Sequence, residues 1–275
     1  MKILVCIKQV PETTNIKINP LDNTLMREGI SAIINPDDKA GIELALRIKD
    51  KREDADVTVI TMGPSEGIKA LREAIAMGAD DGILITDEVF SGGDTYATSL
   101  AISEFIKTLE YDLIITGRRA IDGETGQTGP EIAENLGIPQ ITHCTEFEIE
   151  GNKLIAKRQF DDRYHIIEAK MPCLISIIGE KINPRYMTVR GIFDSAKSNS
   201  SCEKKDKKKD RIRVLNYDYI KEKIEASKLG LKGSPTFVKE MVQGISGKNG
   251  DKLTGLTEEE AAEAIFQKII ERGFI

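Results

Sequence analysis

Gly117 to Glu131 reads GRRAIDGETGQTGPE, lying between the apolar run DLIIT and the helical pattern IAENLG. Glycine lets a backbone approach a ligand closely, and a helix start presents free N–H groups at the positive end of its dipole. Thr128 and Glu131 have the T-x-x-E spacing of a capping box, with Pro130 early in the first turn. Gly123 and Gly126 precede that start, so the stretch is suited to an anion such as a pyrophosphate. Arg118 and Arg119 offer charge-assisted bonds there, and Gln127 and Thr128 offer neutral ones.

Other chemistries find no residues. There is no G-x-x-x-x-G-K-[ST], no G-x-G-x-x-G after the first apolar run and no G-x-S-x-G. His143 adjoins Cys144 and His165 sits in the alternating run RYHIIEAK, and neither has an evident catalytic partner. With these two histidines and no clustered carboxylates, no metal site is expected. Cys6, Cys144, Cys173 and Cys202 are widely spaced and read as structural thiols of a reducing compartment. A chain without a catalytic set fits a cofactor that carries the chemistry itself.

The elements that position these residues follow from periodicity. MKILVCIKQV, VTVITMGP, GILIT and YDLIIT are short apolar runs, as buried parallel strands are. Between them NPDDKAGIELALRIKD, SEGIKALREAIAMGAD and DTYATSLAISEFIKTL read as helices. Asp37 or Asp38 is the expected cap of the first; Ser65 starts the second, and Gly78 lies near its end. This alternation predicts an α/β class with a doubly wound, mostly parallel sheet. In such a sheet the loops leaving the strands' carboxyl ends share one edge, where ligands bind. KQVP, MGPSEG, DEVFSGGDT and GRRAIDGETGQTGP are those loops; the order of the strands is not readable.

From about Ile138 the period becomes two. THCTEFEIEGNKLIAKRQF and RYHIIEAKMPCLISII read as an antiparallel extension turning at Gly151-Asn152, and PRYMTVRGIFDSAK as a helix. The domains expected are a nucleotide-binding body over 1–200, a charged linker over 201–213 and a C-terminal arm over 214–275 packing on a partner. The linker holds seven Lys or Arg between Glu203 and Arg213 against three acids, and reads as a solvated hinge. LTEEEAAEAIFQKIIERG reads as an amphipathic helix with Thr257 and Glu260 as its capping box.

Composition narrows the class. The chain has 275 residues, 40% hydrophobic and 31% charged, as a globular protein has. A net charge of −6, no Trp and 5% aromatics argue against nucleic-acid binding. No stretch approaches the roughly 18 apolar residues of a membrane span. A cytoplasmic location is expected.

At these residues the sequence strongly resembles the electron transfer flavoprotein beta subunits. ILVCIKQVPET, INPDDKAGIELAL, ITMGP, AIAMGAD, GRRAIDGETGQTGP, MPCLISI and NPRYMTVRGI carry the resemblance over nearly the whole chain. It implies an adenine-nucleotide-hydrolase-like α/β domain binding AMP or FAD, and a heterodimer with an alpha subunit holding a second flavin. The family's nucleotide site falls here on Cys6, Asn35 to Asp38, Met62 and the loop from Gly117 through Arg119, Asp122, Gly123, Thr125, Gly126 and Gln127 to Thr128.

One branch of the family binds AMP; another binds FAD that takes electrons from NADH and divides them between two acceptors. FSGGDTYATS resembles the glycine-rich segment of the FAD branch, through Gly93, Asp94, Thr95 and Thr98. The ordinary alternative is a helix start with Asp94 as its cap; we read the segment as flavin-binding. Further implied partners are a flavin dehydrogenase, such as an acyl-CoA or 2-hydroxy acid dehydrogenase, and ferredoxin or flavodoxin. EKINPRY departs from the family's docking loop in lacking a Glu before Pro184, so Ile182, with Asn183, is the expected anchor. A stand-alone adenine-nucleotide module without redox role is the competing class.

Overall fold

The computed structural model describes residues 1–12, 31–197, 211–236 and 254–273. Its chain divides into two units, Met1–Phe237 and Val238–Ile275. Cys202 and most of the basic linker lie outside the described residues.

In the first unit β1 (Lys2–Ile7) carries side chains to both faces of the sheet. The short strands β2 (Gln9–Pro11) and β3 (Ala32–Ile34) pair antiparallel and return the chain to α1 (Pro36–Lys51). There follow β4 (Asp56–Met62), α2 (Ile68–Met77), β5 (Asp81–Ile85), α3 (Thr95–Ile106), β6 (Leu113–Gly117) and α4 (Thr128–Leu136). Next come β7 (Gln140–Glu150), β8 (Lys153–Gln159), β9 (Tyr164–Lys170), β10 (Cys173–Ile177), α5 (Val189–Lys197), β11 (Ile212–Leu215) and α6 (Gly230–Gly233).

Among the described residues the main sheet has nine strands in the order β11-β5-β4-β1-β6-β10-β7-β8-β9. Neighbours from β11 to β7 are parallel, and β8 and β9 extend the sheet antiparallel. The chain steps from β1 outward to β4 and β5, then crosses back to place β6 on the other side of β1. Ile3, Val5 and Ile7 pack with Ile42, Leu46, Leu71 and Ile75 of α1 and α2. Leu4 packs with Ile102, Phe105 and Ile106 of α3 and Ile132 of α4 on the opposite face. Full burial of such side chains stabilises the sheet by about 1.5–3 kcal/mol each. The reversal of winding therefore falls between β1 and β6, and the loops leaving these two strands part to opposite faces.

Four expectations are corrected. MPCLISII is not antiparallel: β10 inserts parallel between β6 and β7, because the chain returns across the sheet before re-entering. The helix after PRYM begins only at Val189. The arm does not begin at 214, since β11 forms the sheet edge on β5 and Ile220, Ile224 and Leu229 are buried with the α3 and α4 face. This body accordingly reaches 236, and the 1–200 boundary is too short. The fourth correction concerns the caps of α1 and α4, described with the site.

In the second unit α7 (Glu258–Glu271) starts at the expected capping box of Thr257 and Glu260. Among the described residues no helix is long and apolar enough to cross a membrane.

Candidate functional site

The crevice at the carboxyl ends of β1, β4 and β6 is floored on the α3 and α4 face. Alternation puts Cys6 and Met62 on that face, where both touch the cluster of Leu4, Ile60 and Phe105. Thr116 joins them: a Cβ on Gly129 of α4 would lie 2.6 Å from its Oγ1, which is buried without a hydrogen-bond partner. Sequence reading missed Thr116, although strand parity with Ile114 points to it. Burial, reinforced by the Asp38 charge, pushes the Cys6 thiol up to about 12, so the floor is uncharged at neutral pH.

The walls are two helix starts. At α4 the cap position is Gln127, with helical backbone and no side-chain cap bond, and Thr128 is already helical. The Thr128–Glu131 capping box therefore does not form. Gly126, at φ +66°, starts the turn one residue early. Glu131 instead accepts a hydrogen bond from the Thr95 hydroxyl at 3.1 Å, and Gln127 Oε1 lies 3.3 Å from the same oxygen. The second Glu131 oxygen is buried and has no partner. Thr95 from one predicted loop thus meets Gln127 from the other.

The FSGGDT segment is also braced from behind. Asp94 caps α3 by accepting from the Ala97 N–H, its own N–H donates to Ser234, and its carboxylate accepts from the Thr236 hydroxyl at 2.7 Å. The backbone of Gly230 crosses against Gly93, where a Cβ would sit 3.4 Å from the Gly230 Cα. Thr98 lies one turn beyond Thr95, partly buried.

On the α1 side the residues hold backbone. Asn35 stands at the α1 cap position without capping it: its Nδ2 donates to the Arg119 carbonyl at 2.9 Å and its Oδ1 accepts from the Ile121 N–H at 3.1 Å. Asp37 and Asp38 lie inside the first turn and are not caps. Asp38 accepts from the Lys8 and Gly117 N–H groups at 2.7 and 2.9 Å, and Asp37 from the Gly179 N–H at 2.9 Å. A Cβ at Gly117 would overlap the Asp38 carboxylate. Asp122 pairs with Lys8 at 2.8 Å, tying the loop to β1. Arg119 reaches Glu124 at 3.9 Å, while Gly123, Glu124 and Thr125 form the exposed loop tip. Arg118, expected beside the phosphates, turns instead to Asp37 and Glu180 at 3.4 and 3.3 Å.

Ile182 is half-buried against the core, and Asn183 beside it is exposed. Arg185 fixes this loop on α1 through Glu43 at 2.8 Å and Asp50 at 2.7 Å. Burial pushes the Glu43 carboxyl up, but the bonds from Arg185 and Arg47 outweigh it and hold it below its usual range.

Comparison with known proteins agrees with this architecture. The family model for the electron transfer flavoprotein domain matches residues 22–209. An electron transfer flavoprotein subunit beta of Thermoanaerobacterium thermosaccharolyticum is 45% identical over 272 residues, covering 99% of this chain and 97% of that protein. The caffeyl-CoA reductase-Etf complex subunit CarD of Acetobacterium woodii is 40% identical, with both chains fully covered. Protein FixA of Sinorhizobium fredii is 37% identical over 87% of this chain and 82% of its own.

Proposed function

This chain belongs to the electron transfer flavoprotein family, among its beta subunits, and on that premise we propose that it binds FAD in the crevice between the starts of α3 and α4. With an alpha subunit it then passes electrons between NADH, a flavin dehydrogenase and a low-potential acceptor such as ferredoxin or flavodoxin. The observation that carries this reading is the Thr95 hydroxyl, set between Gln127 and Glu131 of the opposite loop. Polar side chains from both helix starts, Thr95 of α3 and Gln127 and Glu131 of α4, meet there. The unpartnered Thr116 Oγ1 and Glu131 oxygen fit a ligand with donors and acceptors along its length.

The uncapped first turn of α4, with Gly126, Gln127 and Thr128, would take the phosphates. Thr95 and Thr98 would bond the flavin-proximal part, above Cys6 and Met62. A bound FAD would supply the electron chemistry, exchange of an electron pair with NADH and of electrons with two acceptors. The chain's residues orient it and need supply no acid or base. Asn35 and Asp38, whose side-chain bonds are made within the protein, act by holding the Gly117–Ile121 backbone in place. Ile182 and Asn183, on the loop that Arg185 fixes, would meet the dehydrogenase. The reductase–Etf assembly in the name of the Acetobacterium relative supports a place in such a complex.

A second reading has its own support. Gly92 takes φ +70° against Leu231, so the turn itself accounts for this glycine without a ligand. AMP in the same crevice would then use the α4 side only. Flavin stoichiometry of the purified heterodimer separates the two, together with anaerobic bleaching by NADH. Two flavins and bleaching are expected; one flavin with stoichiometric AMP and no bleaching would overturn the FAD reading.

A further inference from the structure

A second cavity, of about 1090 Å³, lies on the α1 side of the sheet beneath the antiparallel extension. This is the size of small-molecule sites. Leu44 and Ile48 of α1, Phe147 and Ile149 of β7 and Ile182 line it with apolar surface. Its polar wall is made where β7 breaks register. His143 has φ +56°, a conformation that L side chains rarely adopt, and pairing shifts on both sides of it. The kink leaves His143 on the cavity wall together with Arg118 and Phe160.

Arg158 of β8 stacks on the Phe160 ring at 4.9 Å, and the His165 ring lies 4.7 Å from Phe160. The Arg158 Nε is buried without a hydrogen-bond partner, and the Arg118 Nε faces Asp37 Oδ2 at 3.4 Å. Arg118 has Asp37 and Glu180 as counter-charges, but among the described residues no carboxylate forms a salt bridge with Arg158. Lys51, Arg52, Lys157 and Lys181 add positive charge to the wall. Glu146, Glu148, Asp161 and Glu180 oppose it, with Glu146 on Lys157 at 3.4 Å and Glu180 on Arg118. Burial, followed by the charges of Arg158 and Arg118, holds His143 below its usual range. Arg158 and Arg163 both lie over the Phe160 ring, at 4.9 and 5.8 Å, and the positive charges of Arg158 and Arg118 beside His143 make a corner that an anion would relieve.

We propose that this cavity is a second ligand site, distinct from the crevice, that binds a phosphate-bearing aromatic compound of nucleotide size. Arg118 and His143 on the wall take the phosphate together with Arg158, which adjoins the wall beside His143 and Phe160, while Phe160 and the apolar lining hold the ring system. Arg158 holds its guanidinium over the Phe160 ring at 4.9 Å, and an arginine beside an aromatic ring is suited to charge-assisted phosphate contacts.

The chain has two histidines, and both flank Phe160 or the cavity, so their imidazole resonances report on it directly. The heterodimer, with its own nucleotide in the crevice and the beta chain labelled at histidine, is titrated with ADP and separately with inorganic phosphate. ADP is expected to shift both resonances saturably and to raise the pH at which His143 titrates, since a nearby anion favours the imidazolium. Arg158→Gln should weaken ADP about tenfold or more, the loss of one charge-assisted contact, while the co-purified nucleotide stays stoichiometric. His143→Asn keeps a residue that tolerates positive φ and should weaken ADP as well, read at His165. Unmoved resonances, or equal ADP affinity in wild type and both variants, would overturn the site. A phosphate response without an ADP response at His165 would overturn the aromatic part of the ligand.

Discussion

Asp38 is the buried carboxyl on which the crevice's backbone geometry turns. Burial raises it to about 7, with a further push from Asp37, against the opposing pull of bonds from Lys8, Asn35 and Gly117. The unfolded chain releases this proton near 3.8, the folded chain near 7. Between these values the folded state binds more protons, so this group's stabilising contribution falls as pH rises and is level above about 7. Asp38→Asn should flatten that slope in denaturation curves taken between pH about 4 and about 7. It should also cost about 1–3 kcal/mol, because an amide turns a donor toward one of the two backbone N–H groups. An unchanged slope in the variant would remove Asp38 as its source. The two loop glycines make a second test. Gly126 has positive φ, whereas a Cβ at Gly123 meets nothing within 4 Å. Gly126→Val should strain the turn by about 1–2 kcal/mol and empty the crevice of nucleotide while the sheet stays folded. Gly123→Ala should leave the fold within about 0.5 kcal/mol of wild type. Full nucleotide content in Gly126→Val would place the ligand elsewhere.

At the scale of elements, the start of α3 is bound to the start of α4 through Thr95. Thr95→Val and Thr98→Val together remove two hydroxyls at nearly constant volume. FAD should weaken by about 0.5–1.5 kcal/mol per bond lost, more if a flavin acceptor stays buried and unpaired. Alpha-subunit binding should be unchanged, and equal FAD affinity by fluorescence titration would exclude these hydroxyls as ligands. The loop at 182–187 is a second element whose geometry rests on one side chain. Arg185→Met keeps the stem but leaves Glu43, only 5% exposed, with Arg47 alone. The expected cost is about 1–3 kcal/mol, with weaker docking of the dehydrogenase even when Ile182 is intact. Docking unaffected by Arg185→Met would show that the loop holds its shape without the clamp. Some element boundaries are legible because caps and glycines act locally, as at the Thr257 start of α7 and the Gly78 end of α2. The capping box at Thr128 misled because Gly126 and the Thr95 hydroxyl compete for the same turn and the same carboxylate.

The whole molecule carries apolar surface that its own fold leaves uncovered. Tyr186 is 94% exposed, and Val189, Ile192 and Phe193 are exposed on and beside α5, as are Ile265, Phe266 and Ile270 on α7. A beta subunit has an alpha subunit as partner, and covering such faces is worth several kcal/mol at about 25 cal/mol per Å². The chain expressed alone should therefore aggregate or lose stability relative to the heterodimer, and truncation before 254 should weaken the pair. A stable, monodisperse isolated chain at low concentration, seen by light scattering, would contradict this.

The sequence by itself determined the class of fold, the loops that gather at one sheet edge and the glycine and threonine chemistry they bring. These are local matters: a period of two or 3.6, a cap, a residue free to take positive φ. Only the tertiary structure decided that β6 lies beside β1, that β10 enters between β6 and β7, and that the edge strand comes from beyond the linker. Fully buried parallel strands carry the same apolar run in any order, so nothing local encodes their neighbours. That order separates Cys6, Met62, Thr95 and Thr116, on the α3 and α4 side, from Asn35 and Asp38, which brace the backbone on the α1 side. It also turns Arg118 away from the crevice, because the buried carboxylate of Asp37 lies on the α1 side and attracts it there.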